Sequence, residues 1–181
     1  MSAGGKGQGQ FTLPARLLHW VMAVMIVAML FIGVAMVASL ASYHRLVSIH
    51  KLLGIAILAL VVVRFVVRLR GPLPPFLATM SATEQRIASW SEYTLYALMF
   101  VLPLVGWAML STARYPIVLW GSWHLPPILP HSLWGYAVLR RVHAILAYFL
   151  FAMFVAHLSA VLFHTLVKRD GLLRRMLPWR A

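Results

Sequence analysis

The sequence predicts an all-α integral membrane protein, a four-helix bundle with both termini cytoplasmic. Three observations carry that prediction. Of the 181 residues, 62% are hydrophobic and only 10% are charged, whereas soluble domains are roughly half apolar and a quarter charged. Mean hydropathy is +0.87, and four apolar runs are each long enough to cross about 30 Å of hydrocarbon as a helix. Basic residues flank these runs unequally on the two sides, which sets the orientation.

The first span is expected at Leu17–Leu40. It follows MSAGGKGQGQ, so residues 1–12 read as a disordered polar tail and residues 13–181 as one four-span domain. Ser39-Leu40-Ala41 resembles a cleavage site, but the apolar run is longer than the roughly 7–15 residues of a signal peptide, so the helix is read as retained. The second span is expected at Val47–Arg68, and Gly71-Pro72-Leu73-Pro74-Pro75 stops it, because proline lacks an amide donor and forces its predecessor out of the helical region. A polar stretch, SATEQR, precedes the third span at Trp90–Ser111, where Pro103 and Gly106 predict a mild kink. The connection RYPIVLWGSWHLPPILPHSLWGY suits a segment at the membrane surface. Arg141–Val167 is the fourth span.

The charge balance is +13, with acids only at Glu84, Glu92 and Asp170. Such a balance can signal nucleic acid, but no aromatic-basic recognition module is present, and the cations read as interface anchors. Nucleic acid is therefore excluded as a partner and membrane lipid is expected, with KRDGLLRRMLPWR binding anionic headgroups. Eleven cations, from Lys6 to Arg180, fall on the side of the termini; Arg45, Lys51, Arg114, Arg140 and Arg141 make five on the other. That asymmetry puts both termini in the cytoplasm. Cysteine is absent, which excludes disulfides, thiolate zinc sites and covalently attached haem.

Histidine carries the chemistry. His143 and His157 are fourteen residues apart, just under four helical turns, so they share one face of the fourth helix about 21 Å apart along its axis. Each has a candidate partner at matching depth: His50 in the second helix for His143, and His19 in the first for His157. Two stacked bis-histidine pairs are what two b-type haems require, held axially by imidazole nitrogen. A lone membrane histidine is often satisfied by a backbone carbonyl or hydroxyl, but four at two matched depths fit that account poorly. Zinc wants three or four converging ligands, whereas these separate into pairs. Gly54, Ala147 and Ala23 follow their histidines by one turn; they leave room for a flat macrocycle or for close helix packing.

The motifs L-L-H-W, I-H-K-L-L-G, V-V-R-F-V-V-R-L-R-G-P-L-P-P, the H-x13-H of the fourth helix and K-R-D-G-L-L-R-R-M-L-P together resemble the bacterial cytochrome b561 family. The resemblance covers nearly all of the chain beyond its first ten residues. It implies a di-haem cytochrome of the bacterial inner membrane, with haem b on the cytoplasmic side held by His19 and His157. The periplasmic-side haem would be held by His50 and His143. It also implies membrane quinone as a redox partner; the superoxide-oxidising type passes electrons to ubiquinone. The loop between the third and fourth helices departs from that type, which leaves the periplasmic electron donor open. An anchor subunit relaying electrons for a periplasmic dehydrogenase or hydrogenase is the alternative.

Arg45, Lys51, Arg140 and Arg141 surround the outer histidines in sequence. They are candidates to meet haem propionates or draw in a small anion, or else they reach lipid phosphates. His164 lies two turns beyond His157, at the depth of Arg64, Arg68 and Arg70. It is the candidate donor to a quinone carbonyl and a proton source near neutral pH, or it meets interfacial water. Quinone-linked oxidoreductase chemistry is the expected activity.

Overall fold

The first, third and fourth helices each start at a local signal that lies outside the hydrocarbon-spanning run. The computed structural model describes residues 9–179. Residues 1–8 of the expected tail, and Arg180 of the expected basic anchor, lie outside the described residues. Helix α1 covers Leu13–Ala38 with a proline in its first turn, where the missing amide costs no bond and the fixed φ suits the helix. Helix α2 covers Tyr43–Arg70 and ends at Gly71, at the expected proline stop.

Helix α3 covers Ala82–Thr112 and so begins well before Trp90. Its start is a capping box. The Glu84 amide donates to the Ser81 hydroxyl at 3.2 Å, and the Ser81 amide donates to the Glu84 carboxylate at 2.8 Å, satisfying two amides that have no helical partner. SATEQR, expected as a connection, is thus the cap and first turn of α3. Helix α4 covers Leu133–Leu162 and begins before Arg141 for the same kind of reason: Ser132 accepts from the Gly135 amide at 2.9 Å. It runs on through a π-helical turn, Phe163–Lys168, and a 3-10 turn follows at Leu172–Arg175.

The long connection between α3 and α4 contains a small antiparallel hairpin, β1 (Val118–Trp120) with β2 (Trp123–His124). This is the one departure from all-helical structure among the described residues. Gly121, with φ +54, takes the first position of its two-residue turn, where a side chain is disfavoured.

All four helices are long and apolar enough to cross a membrane. Packing is thin: the buried apolar cluster of Leu98, Leu102 and Leu150 lies between α3 and α4, while Phe31, Val34 and Tyr148 stand more than 70% exposed. An apolar exterior of that extent belongs in lipid, where backbone groups are satisfied within helices and side chains meet hydrocarbon. Helices pair closely as α3 with α4 and α1 with α2, then α2 with α3. Helix α4 approaches α1 and α2 much less closely.

One end of the bundle gathers the beginning of α1, the linker 71–81 and the C-terminal turns. There the Arg16 guanidinium donates to the Leu177 carbonyl at 2.9 Å, Trp20 to the Met176 carbonyl at 2.8 Å, and Arg175 to the Pro75 carbonyl at 2.5 Å. This is the terminal end; the other, with β1 and β2, is the hairpin end.

Candidate functional site

The loosely packed interface of α4 with α1 and α2 is where the four candidate histidines meet. Near the hairpin end the rings of His50 and His143 have centroids 6.2 Å apart at 67°. Near the terminal end His19 and His157 have centroids 6.5 Å apart at 56°. An imidazole nitrogen lies about 1.2 Å from its ring centre and bonds a first-row metal at about 2.0 Å, so two imidazoles on opposite sides of one metal would place their centroids about 6.4 Å apart. Both pairs stand at that separation. Among the described residues no three His, Cys, Asp or Glu side chains converge, so the arrangement is two pairs and not a zinc-type cluster.

The buried Nδ1 atoms of His50 and His143 have no hydrogen-bond partner among the described residues. The loop histidines behave otherwise: Nδ1 of His131 lies 2.8 Å from the Thr112 carbonyl and Nδ1 of His124 lies 2.9 Å from the Ser122 carbonyl. The loop histidines thus have a carbonyl at Nδ1 and the buried pair has none there, so these two atoms carry the cost of an unpaired polar group. Gly106 of α3 makes room for this pair. A side chain there would set its Cβ 3.4 Å from Cε1 and 3.6 Å from Nδ1 of His143.

The other small residues have a plainer role. A Cβ at Gly54 would meet the Met29 side chain of α1 at 3.7 Å, and Ala147 packs on the Leu98–Leu102–Leu150 cluster. Both serve helix packing rather than holding a space open.

The His19–His157 pair has a neighbour among the cations expected as interface anchors. Arg64 turns inward, with Nη2 3.1 Å from Nδ1 of His19 and Nε donating to the Tyr96 hydroxyl at 2.9 Å. A guanidinium can only donate, so Nδ1 of His19 accepts, and in the neutral ring the hydrogen sits on Nε2. Binding a metal through Nε2 therefore requires Arg64 to release Nδ1. One turn on, Arg68 grips Glu92 of α3 through two bonds of 2.7 and 3.0 Å.

All three acids are engaged at the terminal end: Glu92 with Arg68, Glu84 with Lys168 and Asp170 with His164. The hairpin end has no acid. There Arg45, Arg140 and Arg141 are exposed and Lys51 is half-buried, and none of the four makes an ion pair or hydrogen bond among the described residues. His164 is only 6% exposed, and Asp170 lies 2.5 Å from its Nδ1. A separate surface cleft of about 500 Å³, lined by Phe76, Arg86, Trp90 and Tyr93 among others, touches neither ring pair.

Comparison with known proteins places the chain in a family. A family model described as prokaryotic cytochrome b561 matches residues 10–179. The chain belongs to the prokaryotic cytochrome b561 family. It is 26% identical over 162 residues to cytochrome b561 homolog 2 of Escherichia coli (strain K12), covering 88% of this chain and 86% of that one. It is 31% identical over 134 residues to the probable superoxide oxidase CybB of Yersinia pestis, covering 72% and 73%. Cytochrome b561 homolog 1 of Escherichia coli is 30% identical over 134 residues, covering 72% and 74%. As a member, the chain is a multi-pass protein of the bacterial inner membrane that binds b-type haem and works in electron transport.

Proposed function

We propose that this cytochrome b561 carries single electrons through two b-type haems, between a donor at the hairpin end and ubiquinone in the membrane. The haems would be held by His50 with His143 and by His19 with His157. The observation that carries this reading is the pair of imidazole–imidazole separations, 6.2 and 6.5 Å, each suited to one metal between two nitrogens. The unpartnered Nδ1 atoms of the outer pair and the absence of cysteine support non-covalent ligation by histidine. When bound, haem would supply a one-electron couple whose potential is tuned by the histidines that hold it, burial and nearby charge. The chain itself supplies the imidazoles, excludes water with α3 and α4, and sets cations at both sites. Release of His19 by Arg64 leaves that guanidinium beside the inner pair, available to an anionic group.

Superoxide is the donor this reading favours, with the termini cytoplasmic and the hairpin end periplasmic. Arg45, Lys51, Arg140 and Arg141 stand at an end with no acid to neutralise them, and a field of that sign concentrates small anions. The likeness to a probable superoxide oxidase supports the same donor. At the other end His164 is the candidate to meet a quinone carbonyl, and no acid–base pair is needed in between.

A second reading makes the chain an electron-relaying anchor for a periplasmic dehydrogenase or hydrogenase. It is favoured by Trp120 and Trp123, which stand 85% and 78% exposed on the hairpin, as a docking surface would. Purified protein mixed with superoxide decides between them. Fast, salt-sensitive haem reduction is expected; slow reduction together with a copurifying soluble redox protein contradicts the superoxide donor and favours the anchor.

A further inference from the structure

His164 does not stand alone at the terminal end. Beyond the π-helical turn the chain reverses through Arg169 and Gly171, both at positive φ, 51° and 81°. Left-handed backbone is costly for arginine and persists only where its surroundings enforce it. The reversal folds Asp170 back under His164, with Oδ2 2.5 Å from Nδ1. The carboxylate is held on every side. The Leu172 amide donates to Oδ1 at 3.2 Å and the Thr79 hydroxyl to Oδ2 at 3.3 Å. The two side chains are 7% and 2% exposed. Nε2 of His164 has no hydrogen bond among the described residues, yet it is not one of the sealed, unpartnered atoms. The imidazole is therefore clamped at Nδ1 and unpaired at Nε2.

We propose that Asp170 is the positioning residue that fixes His164 with its Nδ1 hydrogen toward the carboxylate and presents Nε2 for proton exchange with a quinone oxygen. This rests on the quinone reading of His164 above and extends it. Reducing a quinone to a quinol takes two electrons and two protons. The electrons come from the one-electron donor of that reading. One proton leaves Nε2 of the imidazolium for a quinone oxygen, so the N–H bond breaks as the O–H bond forms. The ring is left neutral with Nδ1–H on Asp170, and water at the terminal end restores the proton to Nε2. The second proton comes from solvent. A carboxylate on Nδ1 keeps a hydrogen there and excludes the tautomer with hydrogen only on Nε2, the orienting role it has in serine hydrolases. The other charges around the dyad are Lys168 paired with Glu84 of α3, Arg169 of the reversal, and Arg174 and Arg175 of the 3-10 turn. The linker 71–81 contributes no ionisable side chain.

The test follows the reoxidation of reduced, haem-loaded protein by ubiquinone-1 at pH 7.5. Asp170→Asn is expected to slow it about tenfold, short of the roughly 10²–10⁴-fold that a positioned acid–base group itself contributes. Asp170→Glu should restore much of the rate. Thr79→Val, which removes one bond to the carboxylate, should give a smaller slowing; it serves as the test should Asp170→Asn fail to fold. His164→Gln reports on the parent reading. An unchanged rate in His164→Gln would sink the quinone role of His164 altogether. A slowed His164→Gln beside an unslowed Asp170→Asn, or an unslowed Thr79→Val, would overturn the dyad alone.

Discussion

Gly106 offers a graded test of the outer imidazole pair. A Cβ there stands 3.4 Å from Cε1 of His143, ordinary van der Waals contact, so Gly106→Ala fits without moving the ring. Replacing glycine by alanine inside a helix also stabilises it by about 0.5–1 kcal/mol. Gly106→Leu differs in kind, because each further carbon reaches about 1.5 Å beyond the last. Its branches must drive into the imidazole or push α3 away from α4. The ring pair has little slack, since its separation is 6.2 Å against about 6.4 Å for a shared metal, and metal bonds tolerate displacements of only about 0.2 Å. A shift of 1 Å or so would take one imidazole out of bonding reach of a shared metal. The assay is haem per chain by pyridine haemochrome, with reduced-minus-oxidised spectra. Gly106→Ala should keep two haems and the native spectrum. Gly106→Leu should keep one, the inner. Two haems with a native spectrum in Gly106→Leu would refute the reasoning.

Three further outcomes follow from the same geometry. Glu92→Gln leaves Arg68 half-buried without its carboxylate and should destabilise the folded protein by about 0.5–1 kcal/mol, the pair being partly exposed, read as a lowered Tm in detergent. Superoxide reduction of the haem should slow several-fold between about 10 mM and 300 mM salt as the field of Arg45, Lys51, Arg140 and Arg141 is screened; a salt-independent rate would remove those residues from the account. Burial works against the Asp170 carboxylate, but the bonds from His164, the Leu172 amide and Thr79 outweigh it and hold its pKa below the ordinary value. Its folded pKa is the lower one, so its contribution to stability is fully present above about pH 4 and is lost as pH falls through the folded value. Thermal unfolding of the native protein should therefore show an acid limb that Asp170→Asn flattens.

The membrane-crossing runs and the histidine pairs were legible because both obey a period. Hydropathy marks hydrocarbon depth, and a fourteen-residue spacing returns a helix to the same face. The ends of α3 and α4 were not, since Ser81–Glu84 and Ser132 act through local hydrogen bonds that hydropathy ignores. Arg64 carried a signal that went unread: it too lies fourteen residues from a histidine on its own helix, His50, and so shares its face. Flanking arginines read first as interface anchors, which hid the contact with His19. Asp170 was absorbed into a basic tail. Its rarity in a chain with three acids was the available clue that it had a partner, but the reversal at Arg169 that delivers it to His164 has no mark in the sequence beyond Gly171.

Haem counting in His143→Ala and His157→Ala, each with its reduced-minus-oxidised spectrum, tests the paired-imidazole claim most directly. The two pairs predict two haems in the native chain and one in each variant, the survivors differing spectrally from each other. A native count of one, or the same haem lost from both variants, would contradict it.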